Sequence, residues 1–155
     1  MTLRAYCSAD LEAILRLFYE SVHAIGREDY TPEQLDAWAP PPEELDKNGW
    51  GESLSAHCAL VAETEGQLIG FADLEEPGYF DRLYVHPAYQ RRGVAGRLAA
   101  ALERRAAELG AREITVHASI TARPFFEQRG YTVERAQTVV RRGMALTNFV
   151  MRKGL

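Results

Sequence analysis

The sequence predicts a single α/β domain built on a mixed β-sheet, and three observations indicate this class. A strand–helix–strand unit occupies residues 79–118, and such a unit requires a right-handed crossover between parallel strands. Hairpin turns on both sides of this unit add antiparallel strands. The length of 155 residues corresponds to one domain, and no repeat or linker divides the chain. We therefore predict one domain over residues 1–155.

The first third of the chain predicts one strand followed by helices. Residues 3–7 are the strand candidate, and Ser8 is expected to cap the next helix. A second helix is expected to start at residues 31–34, where Thr, Pro and Gln form a capping box, and to end by prolines 40–42. A short helical piece over residues 43–47 is expected to follow. The first helix has an apolar face with helical spacing, formed by Leu11, Ile14, Leu15, Phe18 and Val22.

The middle of the chain predicts three strands and one long helix. Residues 58–63 and 67–74 flank a Thr-Glu-Gly turn, and residues 79–85 follow a Pro-Gly turn. Gly110 is expected to end the long helix. Apolar residues recur along that helix with a period of 3.6, at Val94, Leu98, Leu102, Ala106 and Leu109.

The remaining segment predicts a strand, a short helix and a closing hairpin. The strand covers residues 114–118 and the helix residues 122–128. Residues 131–140 and 145–151 form the hairpin over an Arg-Gly turn.

Composition excludes several classes of protein. The longest apolar runs have five residues, far short of the ~20 that a membrane helix requires. Asp10 and Glu12 interrupt the segment where a secretion signal needs its apolar stretch. The two cysteines, Cys7 and Cys58, provide neither a disulfide framework nor a metal cluster. We therefore expect a cytoplasmic protein that has no membrane partner.

The charges are distributed unevenly along the chain. Residues 1–81 contain 4 basic and 17 acidic side chains, whereas residues 82–155 contain 14 basic and 5 acidic ones. Two explanations stay open at this point. The two halves attract each other, or the second half binds an anionic ligand while the first contacts a cationic one.

The loop between the third strand and the long helix is the strongest indication of ligand binding. Gly93 and Gly96 allow the backbone to approach a ligand closely, and the loop leads into a helix N-terminus with unpaired N–H groups. Arg91, Arg92 and Arg97 add positive charge around it. A pyrophosphate is therefore the expected ligand, and an ordinary turn with solvated arginines is the alternative.

Other phosphate-binding and nucleic-acid-binding loops fit less well. Neither the dinucleotide motif G-x-G-x-x-G nor the Walker motif GxxxxGK(S/T) occurs. Residues 93–96 match the GXXG of RNA-binding KH domains, but a KH loop joins two helices rather than a strand to a helix.

Two segments resemble a known family. Residues 83–95, LYVHPAYQRRGVA, resemble the acyl-CoA signature of the GNAT superfamily of N-acyltransferases, whose core is R/Q-x-x-G-x-G/A after a strand ending in V-x-P. Residues 122–131, ARPFFEQRGY, resemble its A-x-x-L/F-Y-E-x-x-G-F/Y block. Together with NFVM at residues 148–151, the resemblance covers nearly the whole chain. Residues 21–23 and 29–35 resemble a bacterial subgroup of acetyltransferases.

The resemblance implies a GNAT-like fold and acetyl-CoA as cosubstrate. A parallel, splayed strand pair, residues 80–85 and 114–118, is expected to be flanked by helices and to hold pantetheine. The backbone of Leu83 and Val85 is expected to bind that arm, and the N–H of Val85 also polarises the thioester carbonyl. The residues that the resemblance assigns to the cosubstrate are Leu83, Tyr84, Val85, Gln90, Arg91, Arg92, Gly93, Val94, Ala95, Gly96, Arg97, Ser119, Phe125 and Phe126.

The implied reaction is transfer of acetyl to an amine, for which carboxylates near the sheet centre often act as the base in this superfamily. Asp81 lies four residues before Val85, which predicts that both lie on one face of the strand. Glu75 lies two residues after Asp73 at the end of a neighbouring strand. Asp81 and Glu75 are therefore the candidate catalytic residues, and a salt-bridged surface carboxylate is the alternative for each.

The expected general acid is missing from the matching position. The tyrosine of the family block is Phe126 here, and phenylalanine has no proton to donate. Loss of a general acid typically slows a reaction ~10²–10⁴-fold, so turnover is expected to be slower rather than absent. Water or another nearby side chain is the substitute, with Tyr84, Tyr89, His117, Ser119 and Tyr131 close in sequence.

The first two helices are expected to cover the acceptor, a small-molecule or peptide amine. His23, Tyr30, Trp38 and Asp73 are the candidate substrate contacts, because aromatic and acidic residues suit a cation. Core packing is the alternative for Trp38. No metal and no nucleic acid are expected, and a homodimer is a further expectation from the family. The alternative functions are a catalytically silent acyl-CoA sensor and a KH-like RNA-binding domain.

Overall fold

The computed structural model describes all of residues 1–155 and contains one seven-stranded mixed sheet. The strands are β1 (Thr2–Ala5), β2 (Cys58–Thr64), β3 (Gln67–Glu75), β4 (Tyr79–Val85), β5 (Glu113–Ser119), β6 (Thr132–Arg141) and β7 (Met144–Gly154). Their order across the sheet is β1-β2-β3-β4-β5-β7-β6. Only β4 and β5 are parallel, as the strand–helix–strand unit predicts.

Five α-helices cover the two faces of the sheet: α1 (Leu11–Ile25), α2 (Pro32–Trp38), α3 (Lys47–Ala56), α4 (Val94–Glu108) and α5 (Arg123–Gln128). Helix α4 buries Leu98 and Leu102 in a core on one face. Helix α1 buries Ile14 and Phe18 in a second core on the opposite face, together with α2 and α3. None of the helices combines the length and the apolar character that crossing a membrane requires.

The predicted cap of the first helix is wrong. Ser8 does not cap α1, because a short 3₁₀ segment, Ser8–Asp10, precedes that helix. The side chain of Asp10 instead accepts the backbone N–H of Cys7 at 2.9 Å and is held by Arg4 at 2.8 Å. Arg4, six residues before Asp10, therefore orients the carboxylate that caps this turn.

Helix α3 was not predicted from the sequence. The short helical piece expected over residues 43–47 is a 3₁₀ turn at Pro42–Glu44, and the ten-residue helix begins after it. Asp46 caps α3 by accepting the N–H of Gly49 at 3.1 Å. Only Leu54 of α3 is buried, so the helix has no apolar periodicity that sequence inspection could detect.

The parallel strands β4 and β5 separate soon after they meet. Their pairing is limited to Tyr79 with Thr115 and Phe80 with Val116. On the other side of β4, Leu74 pairs with Phe80 but Asp73 pairs with Arg82, which leaves Asp81 as the extra residue of a β-bulge. A bulge bends its strand and increases the local twist. The rest of β4 therefore diverges from β5, and the predicted splayed pair is confirmed.

Candidate active site

The gap between β4 and β5 opens into two adjoining cavities. The wide cavity has a volume of about 320 Å³ and lies under α1, α2 and the β6–β7 hairpin. The narrow cavity, about 170 Å³, lies between the end of β4 and the start of α4. Trp38, Leu83, Tyr84, Ser119 and Ala122 line both of them. A ligand held in the gap would therefore contact both cavities.

The N-terminus of α4 opens beside the narrow cavity without a capping side chain. Gly93 occupies the cap position with φ +81°, a conformation that side chains other than glycine rarely adopt, and open space surrounds its α-carbon. The first helical bond joins the N–H of Arg97 to the carbonyl of Gly93 at 3.0 Å. The N–H groups of the first turn, including those of Val94, Ala95 and Gly96, have no such acceptor within the helix. This end of the helix can therefore bind an anion.

Three exposed arginines surround this helix end. The guanidinium of Arg92 lies 5.2 Å from the ring centre of Tyr89, and that of Arg97 donates to the carbonyl of Met1 at 3.3 Å. Neither of these two arginines, nor Arg91, is paired with a carboxylate, so their charges are not neutralised within the protein. Together with the positive end of α4 they make a site for phosphate groups.

The backbone of β4 presents hydrogen-bonding groups to the gap. The N–H of His86 bonds the carbonyl of Ile69 in β3 at 2.8 Å. Because backbone groups of successive residues point to opposite edges of a strand, Leu83 and Val85 direct theirs towards β5. The carbonyl of Val85 accepts from the side chain of Gln90 at 2.9 Å. The N–H of Val85 is available because β5 pairs with β4 only at Tyr79 and Phe80. Both residues that the resemblance assigns to pantetheine thus face the gap.

Three of the remaining predicted cosubstrate residues close the gap from β5 and α5. Ser119 Oγ accepts the N–H of Ala122 at 3.0 Å, so its own proton is free to donate. Phe125 lines the narrow cavity, and Phe126 lines the wide one. The Phe126 ring is 2% exposed and packs edge-on against Phe80 at 5.4 Å between ring centres. By contrast, the side chain of Val94 is buried in the core, so only its backbone is available to a ligand.

Asp81 lines the wide cavity at the bulge of β4. Its carboxylate lies 3.7 Å from the ring of His57 and 3.7 Å from Arg82, and 29% of its side chain is exposed. Burial, and then repulsion from Asp73, raise the pKa of Asp81 above the ordinary value of an aspartate. The prediction that Asp81 shares a face with Val85 is wrong. The bulge shifts the alternation by one residue, so Val85 packs on the α4 side while Asp81 lies on the α3 side.

Asp73 is fully buried and is absent from the lining of both cavities, and its predicted contact with the acceptor stays a prediction. Its carboxylate binds Arg82 Nε at 3.0 Å and His57 Nδ1 at 2.8 Å. Arg82 is braced further by Ser53 Oγ at 2.7 Å. Asp73 therefore neutralises Arg82 and positions the bulge beside it.

His57, Asp73 and Asp81 also bring their nitrogen and oxygen atoms within 4.8 Å of one another. The sequence did not suggest this grouping, because the three residues lie on different elements. Within this cluster, the carboxylate of Asp73 already forms an ion pair with the guanidinium of Arg82. The expectation that no metal takes part stays a prediction.

Two further predicted residues lie away from the cavities. Glu75 is exposed at the end of β3 and is absent from the lining of both cavities. His23 Nε2 lies 2.7 Å from the carbonyl of Ala39 and joins α1 to the end of α2. His23 lines neither cavity, and its predicted contact with the acceptor stays a prediction.

Tyr30 and Trp38 line the wide cavity, and their contacts with the acceptor stay predictions. The Tyr30 hydroxyl donates to the carbonyl of Thr147 at 2.8 Å and accepts the N–H of Ile120 at 2.9 Å. Both bonds fix the ring between α2 and the C-terminal half, so Tyr30 forms a wall of the cavity. Trp38 packs edge-on against Tyr30 at 5.5 Å and reaches the junction of the two cavities.

Comparison with known proteins identifies the family. A family model described as the acetyltransferase (GNAT) domain matches residues 27–153. The chain belongs to the GNAT family of acetyltransferases. It is 38% identical over 150 residues to the N-acetyltransferase YafP of Escherichia coli, a match that covers 97% of this chain and 93% of that protein.

Solved GNAT structures have the same fold. A GCN5-related N-acetyltransferase from Rhodopseudomonas palustris is 38% identical, with a TM-score of 0.95 over 99% of this chain and 95% of the other. PaiA N-acetyltransferase from Thermoplasma acidophilum, solved in complex with coenzyme A, is 20% identical, with a TM-score of 0.81 over 99% and 98%. The predicted GNAT-like fold and N-acetyltransferase class are confirmed, and the KH-like and sensor alternatives gain no support.

Phe126 stands at the fifth position of the 122–131 block, where the resemblance implies a tyrosine, so the general acid has to be sought among other side chains. Of the nearby side chains, Tyr131 donates its proton to Glu103 at 2.9 Å, and Tyr89 lies outside both cavities. Burial, and then the charge of Arg135, lower the pKa of His117, so its imidazole is neutral at neutral pH. Tyr84 lines both cavities, and burial raises the pKa of its phenol.

The sequence missed two polar residues in the wall of the wide cavity. Arg141 ends β6, one residue beyond the strand that periodicity predicts. Asn148 lies on β7, and its Oδ1 is buried without a hydrogen-bond partner. No local motif marks Arg141, and Asn148 is marked only as the first residue of the NFVM segment. The pairing of β7 with β5 and β6 brings both to the cavity.

Proposed function

We propose that this GNAT protein transfers an acetyl group from acetyl-CoA to the amine of a small molecule or peptide, by direct attack on the thioester. The observation that carries the proposal is the uncapped N-terminus of α4 beside the β4–β5 gap. Its anion site and the wide cavity, which contains the partly buried carboxylate of Asp81, meet at one junction. The coenzyme A complex of the similar PaiA enzyme supports the choice of cosubstrate.

The narrow cavity and its surroundings would hold acetyl-CoA. The pyrophosphate lies against the first turn of α4, with Arg91, Arg92 and Arg97 balancing its charge. Pantetheine runs along the free edge of β4. The N–H of Val85 then polarises the thioester carbonyl, where negative charge develops during attack.

Asp81 is the proposed base. An ammonium group must lose a proton before its nitrogen can attack the thioester carbon. A carboxylate whose pKa lies closer to neutrality accepts that proton more readily than an ordinary aspartate. Asp81 lines the wide cavity, whereas Glu75 lies outside it, so the structure favours Asp81 of the two predicted candidates.

Tyr84 is the proposed acid. The C–N bond forms, the C–S bond breaks and the departing thiolate takes up a proton. Tyr84 lies at the junction of the two cavities and, like any phenol of ordinary or raised pKa, holds its proton at neutral pH. Phe126 shapes the same region by packing alone.

Acetyl-CoA is expected to raise the melting temperature. A ligand that binds only the native state adds about 2.7 kcal/mol to the free energy of unfolding at 100 times its Kd. Differential scanning fluorimetry with millimolar acetyl-CoA measures the shift, and dephospho-CoA and adenosine serve as comparison ligands with fewer phosphates. A melting temperature that acetyl-CoA leaves unchanged contradicts the proposed function.

The role of Tyr84 is tested by moving the phenol to Phe126. We expect Tyr84→Phe to lower kcat by about 10²-fold, the lower end of the effect of removing a general acid. Phe126→Tyr restores the tyrosine of the family and should leave turnover equal or faster. Turnover is measured as released thiol, and acetyl-CoA binding by the melting shift. If Phe126→Tyr does not improve turnover in the Tyr84→Phe background, proton donation is not what Tyr84 supplies.

A further inference from the structure

The wide cavity has walls that are mostly aromatic and apolar, with few charges. Its charged side chains are Asp81, Arg82 and Arg141. The guanidinium of Arg82 donates hydrogen bonds to Asp73 and Ser53. Asp81 and Arg141 are therefore the charges that a ligand could reach.

Arg141 has no acidic partner. One of its guanidinium nitrogens donates to the neighbouring carbonyl of Val140 at 3.2 Å, and no carboxylate lies within ion-pair distance. The next residue, Arg142, binds Glu44 at 3.1 Å and so joins the tip of the hairpin to the N-terminal half. This contact holds the end of β6, and with it Arg141, at the rim of the wide cavity. The charge of Arg141 also helps to lower the pKa of His117, another lining residue.

The two charges stand on separate strands with room for a ligand between them. Asp81 lies on β4 and Arg141 on β6, and β5 and β7 run between these strands. Both side chains nevertheless line the same cavity. The cavity volume of about 320 Å³ also lies in the range of small-molecule sites.

A third polar group indicates an N–H donor on the ligand. Asn148 Oδ1 is buried in the wall of the same cavity and has no hydrogen-bond partner. Buried acceptors in proteins are nearly always satisfied, so an unpaired one requires an explanation. An amine or amide nitrogen of a ligand would supply the missing bond.

We propose that the acceptor is an amino-acid-type molecule, whose amine lies beside Asp81 and whose carboxylate binds Arg141. The aromatic walls, which include Trp50 and Tyr79, would contact an apolar side chain. The inference rests on the proposed function, because Asp81 accepts the proton of the same amine. It replaces the purely cationic acceptor that the acidic N-terminal half suggested. A dication would bring its second charge close to Arg141 and be repelled.

The test compares two probes that differ only in the carboxylate: L-phenylalanine and L-phenylalaninamide. Binding to the protein–CoA complex is measured by calorimetry, and acetyl transfer by released thiol. We expect the wild type to favour phenylalanine about 10- to 100-fold in affinity and in kcat/KM, the contribution of a hydrogen bond to a charged group. Arg141→Gln should abolish this preference through KM. Arg135→Gln is the matched control, because Arg135 is an exposed arginine of the same strand that lines neither cavity, and it should keep the preference.

The outcomes separate this inference from the proposed function. If the wild type binds acetyl-CoA but treats the two probes equally, prefers the amide or binds neither, the amino-acid acceptor is wrong and the acetyltransferase proposal stands. A preference that survives in Arg141→Gln also overturns the inference. If acetyl-CoA itself does not bind, the proposed function fails first, and the melting shift alone reveals this.

Discussion

Gly93→Glu is expected to abolish the stabilisation of the protein by acetyl-CoA. The new carboxylate would project into the open space at the N-terminus of α4, where the pyrophosphate is expected. Placing like charges together costs several kcal/mol, which corresponds to a loss of affinity of at least about 100-fold. Calorimetry with CoA and the melting shift with acetyl-CoA both measure this loss.

The free protein should fold despite this substitution. Its backbone at φ +81° costs a side chain roughly 1–2 kcal/mol, a minor part of the stability of a domain. Gly110 provides a matched control at the other end of α4, because its φ is +84° and open space surrounds it as well. Gly110→Glu therefore introduces the same strain and charge but should keep the acetyl-CoA shift. If both variants bind CoA as the wild type does, the loop is a structural turn.

Asp81→Asn is expected to lower kcat/KM by about 10²–10⁴-fold while CoA affinity is retained, because the amide cannot take a proton from the acceptor. In the wild type, kcat/KM should rise with pH as Asp81 loses its proton. The midpoint should lie above the ordinary pKa of an aspartate, since burial and Asp73 raise it. The variant should lack this limb of the pH profile. Steady-state kinetics over a range of pH makes the measurement.

The stability of the Asp81 variant distinguishes catalysis from a structural role. A carboxyl whose pKa is raised in the folded state destabilises the fold progressively as the pH rises above its unfolded pKa, and the loss is complete above its folded pKa, because the unfolded chain holds the charge more easily. Asp81→Asn should therefore melt at the same temperature as the wild type or higher at neutral pH. Glu75→Gln, a change in an exposed carboxylate outside the cavities, is the comparison variant. A large loss of turnover in Glu75→Gln together with little loss in Asp81→Asn would reverse the assignment of the base.

The structure explains the uneven distribution of charge in both of the ways that the sequence left open. Arg82 pairs with Asp73, and Arg142 with Glu44, so the basic half does bind the acidic half. The arginines around the start of α4 do not take part in such pairs and remain available for an anionic ligand.

The sequence by itself determined the features whose signals are contiguous. Apolar periodicity located α1 and α4, glycine-containing turns located the hairpins, and the segment at residues 90–97 carried both its glycines and its arginines. The resemblance of residues 83–95 and 122–131 to GNAT motifs also predicted that the two parallel strands splay apart. Helix α3 escaped detection because it buries a single leucine and its cap, Asp46, resembles any loop aspartate.

Only the tertiary structure decided which polar residues face the wide cavity. One extra residue in β4 reverses the alternation of side chains along the strand. The expectation that every second residue shares a face therefore placed Asp81 on the wrong face of the sheet. Asp73 resembled a free carboxylate until the fold brought Arg82 and His57 against it. Arg141 and Asp81 lie 60 positions apart in the sequence, and the pairing of β4, β5, β7 and β6 places both at one cavity. Register and pairing depend on contacts between distant segments, which no local pattern of residues records.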